Sequence, residues 1–328
     1  MQTHKIMTLI DEHNAKLIIL LCHHNADPDA VCAAFAFSRL LKRLRPKLNV
    51  EIAAAQGPSR LTKFMLESLP IKLTTHPRIE EASVIVLLDT NTIQQLDEWA
   101  ERVRASDSPL IVIDHHARHP ETERLATICV SDEKAASTCE IVYQFFKELK
   151  VKLEEPEAEA LFLGIAFDTR HFILANSATL KTVADLIDAG VNVQEALPLL
   201  SLPINDSERI ARLKASRRAN LLKIKKWLIV FSHVGAYQAS AARALIGLGA
   251  HVAVVVGQRE GEIQISLRSS RDFYEKTCVH LGRDIAKPLG EYLHGMGGGH
   301  AVSAGANGMG NVETSLKLCK RLLKEKLK

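Results

Sequence analysis

The run Lys16-Leu-Ile-Ile-Leu-Leu-Cys22, followed at once by His23-His24-Asn25-Ala26-Asp27-Pro28-Asp29-Ala30, carries the reading of the fold. Seven residues, nearly all aliphatic, that stop on polar ones read as a buried strand opening into a polar loop. Pro28 stiffens that loop by fixing φ, and helical spacing over 30–44 follows it. The same unit recurs. Residues 50–54, 84–89 and 110–114 read as strands, 59–69 and 93–103 as helices, and 137–149 and 156–165 as two further helices. Strands alternating with helices predict an α/β domain with a mostly parallel sheet and helices on both faces.

Polar residues gather where these strands stop. His23 to Asp29 follow the first, Asp89 closes another, and Asp114-His115-His116 close a third. Ligands of open parallel sheets sit at the carboxyl ends of strands, so this placement marks a site. Further along, Asp168-Thr169-Arg170-His171-Phe172 brings another acid after an apolar run.

Periodicity weakens from 186 to 205, and 205–219 reads as a connecting helix. The second half reads as a strand at 226–232, a helix at 237–248, and paired strands at 251–256 and 262–268. A helix at 282–294 leads into Gly295-Met-Gly-Gly-Gly-His300, and a basic helix closes the chain at 312–328. The resulting division is a catalytic domain at 1–190, a linker at 191–222 that includes a basic helix, and a smaller α/β domain at 223–328.

Composition narrows the classes. With 328 residues, 47% hydrophobic and 24% charged, the chain can bury real cores without disulfides or a structural metal. No apolar stretch approaches the ~20 residues that span a bilayer, and the first residues are polar, which predicts a cytoplasmic protein with no membrane role. The six cysteines are scattered without a CxxC pair, the pattern of reduced, buried thiols. Net charge is only +4, yet Arg209, Arg212, Lys214, Arg217, Arg218, Lys223, Lys225 and Lys226 put +8 into one acid-free segment. That fits attraction to a phosphate-bearing ligand, and equally a solvated helix face.

Asp and His together suit Mn²⁺- or Mg²⁺-like ions better than thiolate-seeking metals. Asp89, at the end of a nearly all-aliphatic strand, is costly to leave beside a core without a cation. Asp114 is placed to orient a neighbouring imidazole. Each acid alone reads as a cap or a turn residue; several at strand ends together read as a two-metal hydrolytic site.

In order, His23-x-Asn25-x-Asp27-x-Asp29-Ala30, Asp89-Thr90, Asp114-His115-His116 and Asp168-Thr169-x-x-Phe172 resemble the four motifs of the DHH phosphoesterases. Ser266-Leu-Arg268-Ser269 and Gly297-Gly-Gly-His300-Ala-Val-Ser-Ala-Gly305 resemble the DHHA1 domain that follows in one branch, which includes the nanoRNases and is related to RecJ. The resemblance implies two Mn²⁺ ions, with Mg²⁺ as the substitute. His23, Asp27 and Asp89 would hold one, and Asp29, Asp89, His115 and Asp168 the other, with Asp89 bridging. His116, with Asp114 behind it, Arg268 and His300 would carry catalysis, and Arg268, Ser269, Gly297, Gly298, Gly299 and His300 would bind substrate. Ala26 stands where proline is common in the family, Cys32-Ala33 where Gly-Ser is common, and Arg170-His171 where small residues are frequent.

The expected activity is hydrolysis of short single-stranded RNA, and DNA as a second substrate, from one end to mononucleotides, with 3′-phosphoadenosine 5′-phosphate phosphatase activity alongside. Alternatives are a RecJ-type single-strand exonuclease, a linear or cyclic dinucleotide phosphodiesterase, and a DHH-like scaffold with a replication or repair partner. A homodimer is a further expectation.

Overall fold

The computed structural model describes residues 2–327; residues 1 and 328, the outer limits of the expected domains and of the closing helix, lie outside them. The chain divides into two compact units, one up to Leu202 and one from Pro203 onward.

In chain order the first unit contains α1 (Gln2–Glu12), β1 (Leu17–Cys22), α2 (Pro28–Leu44), β2 (Asn49–Ala54), α3 (Arg60–Leu66) and β3 (Val84–Leu88). It continues with α4 (Ala100–Arg104), β4 (Leu110–Asp114), α5 (Pro120–Leu125), β5 (Ile128–Ser131), α6 (Thr138–Glu148), α7 (Glu155–Asp168), α8 (Ser177–Asp188) and α9 (Val193–Ala196). The five strands form one parallel sheet in the order β2-β1-β3-β4-β5. Strand β1 shows why both faces are covered. Ile18, Leu20 and Cys22 join the core made with α2, α6 and α7, while Leu17, Ile19 and Leu21 join a second core with Ile93, Leu96 and Trp99.

Register sets the site. Cys22 lies opposite Leu88, and Leu88 opposite Ile113, so β1, β3 and β4 end level. His23, Asp89 and Asp114 therefore stand side by side. The chain leaves β1 toward β2 on one side and returns as β3 on the other, and that reversal opens a crevice at the carboxyl ends.

The second unit contains α10 (Asp206–Arg217), β6 (Asn220–Ile224), β7 (Trp227–His233), α11 (Gln238–Gly247), β8 (Val252–Arg259), β9 (Glu262–Ser269) and α12 (Arg271–Thr277). After a π-helical turn, Leu281–Ala286, come α13 (Lys287–Tyr292), β10 (Gly297–Gly299), β11 (Ser303–Met309) and α14 (Val312–Lys326). Six strands run in the order β10-β11-β9-β8-β7-β6, antiparallel except for the β7–β8 pair. Strand β9 alternates: Ile263, Ile265 and Leu267 are buried with Leu318, Cys319 and Leu323 of α14, which turns Gln264, Ser266 and Arg268 to the opposite face.

Several elements depart from the sequence reading. The linker expected at 191–222 is not a separate body: residues up to Leu202 belong to the first unit, and α10 and β6 to the second. Helix α10 is tied to α11 by a 2.7 Å hydrogen bond from Arg212 Nε to Ser240 Oγ. The basic stretch after it is an edge strand, β6, closed by a turn with Lys225 at φ 52°. Its place in a basic segment concealed that pattern. Residues 93–103 form a 3₁₀ turn, kinked at Asp97, before the short α4. Helix α7 runs past 165 to Asp168, so that acid ends a helix instead of following one.

Glycine in β10 has a packing cause. A Cβ on Gly297 would run into the backbone carbonyl of Ala286, whereas one on Gly298 would meet nothing within 4 Å. Gly297→Ala should therefore lower stability by about 1–3 kcal/mol through backbone displacement, and Gly298→Ala should change it little. Urea melts of the two variants check this, and equal melts would refute the packing account.

Candidate metal centre

Asp27 caps α2, its Oδ1 accepting from the Ala30 amide at 3.1 Å, and this leaves its other oxygen free. Asp29, in the first turn of α2, is fully buried. It survives there because Oδ2 accepts from the Thr138 amide at 2.6 Å and Oδ1 from the Cys139 amide at 3.0 Å, the N-terminus of α6. Asp89 follows β3 with φ 53°, a left-handed conformation that Asp tolerates and that ends the strand abruptly. Its Oδ1 accepts from Thr138 Oγ1 at 3.0 Å, and it is 5% exposed.

Around Asp89 the other groups close in. His23 Nε2 is 3.8 Å from Asp27 Oδ1 and 3.8 Å from Asp89 Oδ2. His115 Nε2 is 3.6 Å from Asp89 Oδ1 and 3.1 Å from Asp168 Oδ2. His23, Asp27 and Asp89 thus form one group whose ligand atoms lie within 4.8 Å of one another, and Asp29, His115 and Asp168 form another. Asp89 turns Oδ2 toward the first and Oδ1 toward His115 of the second. His23 Nδ1 lies 2.8 Å from the His24 carbonyl, a bond that puts the proton on Nδ1 and leaves Nε2 bare for a ligand role.

A third group joins Asp89, His115 and His116. His116 is the weakest of these, because its Nδ1 is already 2.8 Å from Asp114 Oδ1, which also accepts the His116 amide at 2.8 Å. Asp114 is buried; its Oδ1 holds His116, and its Oδ2 has no hydrogen-bond partner among the described residues.

The charges need a cation. Burial, with Asp168, Asp89 and Asp27 nearby, pushes the Asp29 carboxyl well above the usual carboxylate range. Asp168 is raised too, chiefly by burial, with His115 opposing. Burial would lower the imidazoles, but Asp27, the His24 carbonyl and Asp89 lift His23 to about 8, and Asp168 and Asp89 lift His115. The bonds to Asp114 and then Asp89 raise His116 to about 11. Protons thus sit where divalent ions would relieve the same repulsion. His115 Nε2, buried between Asp168 and Asp89, faces two carboxylate oxygens at 3.1 and 3.6 Å, a position where a cation could take the place of a proton. Oxygen and imidazole donors without thiolate suit Mn²⁺ or Mg²⁺, so the residues present fit such ions. The nearby Cys22, Cys32 and Cys139 are buried and have strongly raised thiol pKa values from burial, which keeps them as thiols.

Sequence reading missed Thr138 and Gly164. Thr138 supplies an amide to Asp29 and a hydroxyl to Asp89; Ser137-x-x-Glu140 signals a helix start, but nothing local says which acids it meets. A Cβ on Gly164 would collide with Cys139 Sγ and come 2.8 Å from Asp29 Oδ1, so α7 crosses α2 here only as glycine. Arg170 and His171, both exposed with left-handed φ, hold no partner in this cluster.

In the second unit, Arg268, Gly298 and Gly299 line one cleft, and Gly297 an adjoining one. Ser269 and His300 line neither: Ser269 Oγ is buried, and His300 is exposed just beyond β10. Arg268 Nη1 donates to the Leu267 carbonyl at 2.9 Å, and burial, with Arg243 beside it, pulls its guanidinium below the usual arginine range.

The model of the DHH family, N-terminal domain, matches residues 17–165. An uncharacterized protein of Methanocaldococcus jannaschii is 36% identical over 312 residues, 92% of this chain and 90% of that protein. A probable manganese-dependent inorganic pyrophosphatase of Streptococcus equi is 28% identical over 187 residues, 54% of this chain and 57% of its own. The bifunctional oligoribonuclease and PAP phosphatase NrnA of Bacillus subtilis is 25% identical over 234 residues, 70% of this chain and 66% of its own. Among solved structures, an exopolyphosphatase-related protein from Bacteroides fragilis shares the fold, with TM-score 0.64, 20% identity, and 99% and 96% of the two chains covered.

Raised folded-state pKa values give a signed expectation. A group with a raised pKa favours the metal-free fold while protonated and loses that contribution as pH climbs through its folded value, about 8 for His23. A bound cation replaces those protons. The rise in Tm on adding excess Mn²⁺ should accordingly be larger at about pH 8 than at about pH 6. Calorimetry at the two pH values measures it, and a rise that shrinks toward pH 8 contradicts the assignment.

Proposed function

The chain belongs to the DHH family, and from that premise we propose that it is a metal-dependent phosphodiesterase that degrades short single-stranded oligonucleotides from one end. The observation that carries this reading is the convergence of Asp27, Asp29, Asp89 and Asp168 with His23 and His115, whose donor atoms fall into adjoining groups within 4.8 Å of one another. In this reading His23, Asp27 and Asp89 hold one ion, Asp29, Asp89, His115 and Asp168 a second, and Mn²⁺ is the expected metal. Such a pair supplies hydroxide near neutral pH by lowering the pKa of bound water.

The protein's own groups do the rest. His116, its Nδ1 held by Asp114, keeps Nε2 turned away from that bond. A protonated imidazole held in one orientation can donate to a non-bridging phosphate oxygen as negative charge builds there. Arg268 offers a guanidinium to a substrate phosphate, and the side-chain-free floor at Gly298 lets a ligand approach the backbone.

Likeness to an oligoribonuclease and PAP phosphatase over 70% of the chain supports nucleotide substrates, while likeness to a pyrophosphatase covers 54% of it. The arginine and glycine residues of the second unit favour the nucleotide side. A scaffold would have no need of the full set of acids and imidazoles, all of which are present here.

Time courses with 5′-labelled RNA and DNA ladders from two to about twenty nucleotides, in Mn²⁺ and in Mg²⁺, test the reading. Activity should be highest on the shortest chains and release mononucleotides. Asp89→Asn should lose at least about 10³-fold in rate together with bound metal, because one side chain faces both groups. Wild-type protein inert on every ladder, or Asp89→Asn with near-normal turnover, would falsify it.

A further inference from the structure

The polar face of β9 is only partly roofed. Helices α10 and α11 cover β7 and β8, where Val230, Ala241, Leu245 and Val255 form a small core. Beyond them Gln264, Ser266 and Arg268 of β9 look onto Ser303 and Gly305 of β11 and Gly298 of β10. This open floor and the start of α11 bound a cleft of about 410 Å³ whose walls include Tyr237, Ala239, Ser266, Arg268, Gly298 and Ser303. Nucleotide-sized ligands occupy clefts of that order.

Two residues, Tyr237 lining this cleft and Arg243 one helical turn beyond its wall, have unexplained features. Arg243 is one turn along α11 from Ala239, so it shares the side of the helix that borders the cleft. It is exposed and has no ion pair or hydrogen bond among the described residues. The acid nearest in charge, Glu208, is engaged by Arg212 at 2.9 Å and by the Ser240 hydroxyl. Arg243 is also close enough to Arg268 to oppose its charge. Two guanidiniums brought together, with the nearby acid Glu208 already engaged by Arg212 and Ser240, make a place for an anion.

Tyr237, just before α11, adopts φ 61° and ψ 34°, an uncommon conformation for an aromatic residue. Asn205 Nδ2 donates to its hydroxyl at 3.2 Å, which pins one end of the ring while 39% of the residue stays exposed. A held, open ring beside a phosphate-sized positive site is a stacking face for a base.

We propose that Arg243 and Tyr237 complete the Arg268 cleft as a nucleotide site, with Arg243 as a second guanidinium on the phosphate and Tyr237 as the surface on which the base stacks. The proposal rests on the oligonucleotide reading, and it also says how this chain would prefer a nucleotide over inorganic pyrophosphate: the phosphate contacts serve both ligands, the ring only one.

Binding to the full chain stripped of metal with EDTA separates the two ideas. Calorimetric titration with 5′-phosphorylated diadenylate and with pyrophosphate gives Kd for wild type, Arg243→Ala, Arg243→Lys, Tyr237→Ala and Tyr237→Phe. Arg243→Ala should weaken both ligands about tenfold and Arg243→Lys less, since lysine keeps the charge but loses the fork. Tyr237→Ala should weaken the diadenylate about tenfold and leave pyrophosphate within about twofold, and Tyr237→Phe should hold both. Thermal melts and Mn²⁺ content of the variants should match wild type, as both side chains are at the surface. The proposal is overturned if wild type binds no diadenylate without metal, if Arg243→Ala binds as wild type does, or if Tyr237→Ala costs both ligands equally. Hydrolysis of the same diadenylate with Mn²⁺, run in parallel, reports on the oligonucleotide reading by itself: intact binding without turnover sinks that reading alone, and turnover with KM unmoved in both alanine variants sinks the cleft alone.

Discussion

Like charge crowded out of water is the constraint on which the first unit depends. Asp27, Asp29, Asp89 and Asp168 meet at the level ends of parallel strands, and Asp29 and Asp89 are buried. Two unit charges 4 Å apart interact by about 4 kcal/mol near a protein surface, so several carboxylates cannot all ionise there unaided. Raised pKa values at Asp29 and Asp168, and at all three imidazoles, are the same fact seen from the proton's side. Any divalent cation of suitable size would replace several protons at once, which ties the fold, the titration and the chemistry to a single cluster.

The scaffold holds that cluster with stiff parts. Three strand ends aligned by register fix His23, Asp89 and the Asp114-His115-His116 segment. Helix α6 turns its first amides on Asp29, and Thr138 bonds two of the acids through different atoms. Helix α7 brings Asp168 to its own C-terminal end, a cost in helix-dipole terms that the facing His115 offsets. The packed crossing at Gly164 keeps α7 close enough for this. Each device acts on backbone or buried side chains, so the donor groups have little freedom to relax apart.

The second unit follows a different logic. Its sheet has one apolar face sealed by α14 and the 281–293 segment, and one polar face that α10 and α11 cover only over β7 and β8. Glycine plays two parts there: Gly297 lets β10 lie against the Ala286 carbonyl, while Gly298 leaves the floor bare. Read as a motif, the glycine run resembled a single ligand loop; in space its members divide between packing and access. The basic segment 209–226 divides likewise, with Arg212 committed to Glu208 and Ser240 and Arg218 donating to the His233 carbonyl. Arg243, which has no hydrogen bond or ion pair among the described residues, lies outside that segment altogether.

What the chain's order of residues determined by itself was the alternation of aliphatic runs with helical stretches, hence a parallel sheet, and the placing of acids and imidazoles where those runs stop. These are local properties: a strand announces its own burial, and an acid after it announces the strand's end. Motif order added the family and the second unit's arginine and glycines. Other features had no local signature. The edge strands β6 and β10 were hidden, one by its place in a basic segment and one by glycines, because edge strands need little hydrophobicity. That Thr138 answers Asp29 and Asp89, that Gly164 must lack a side chain, and that Ser269 and His300 stand outside the cleft of Arg268 were decided only by tertiary structure. In each case the partners are far apart along the chain or their side-chain direction depends on packing, and only the register of strands and the crossing of helices bring such groups within reach.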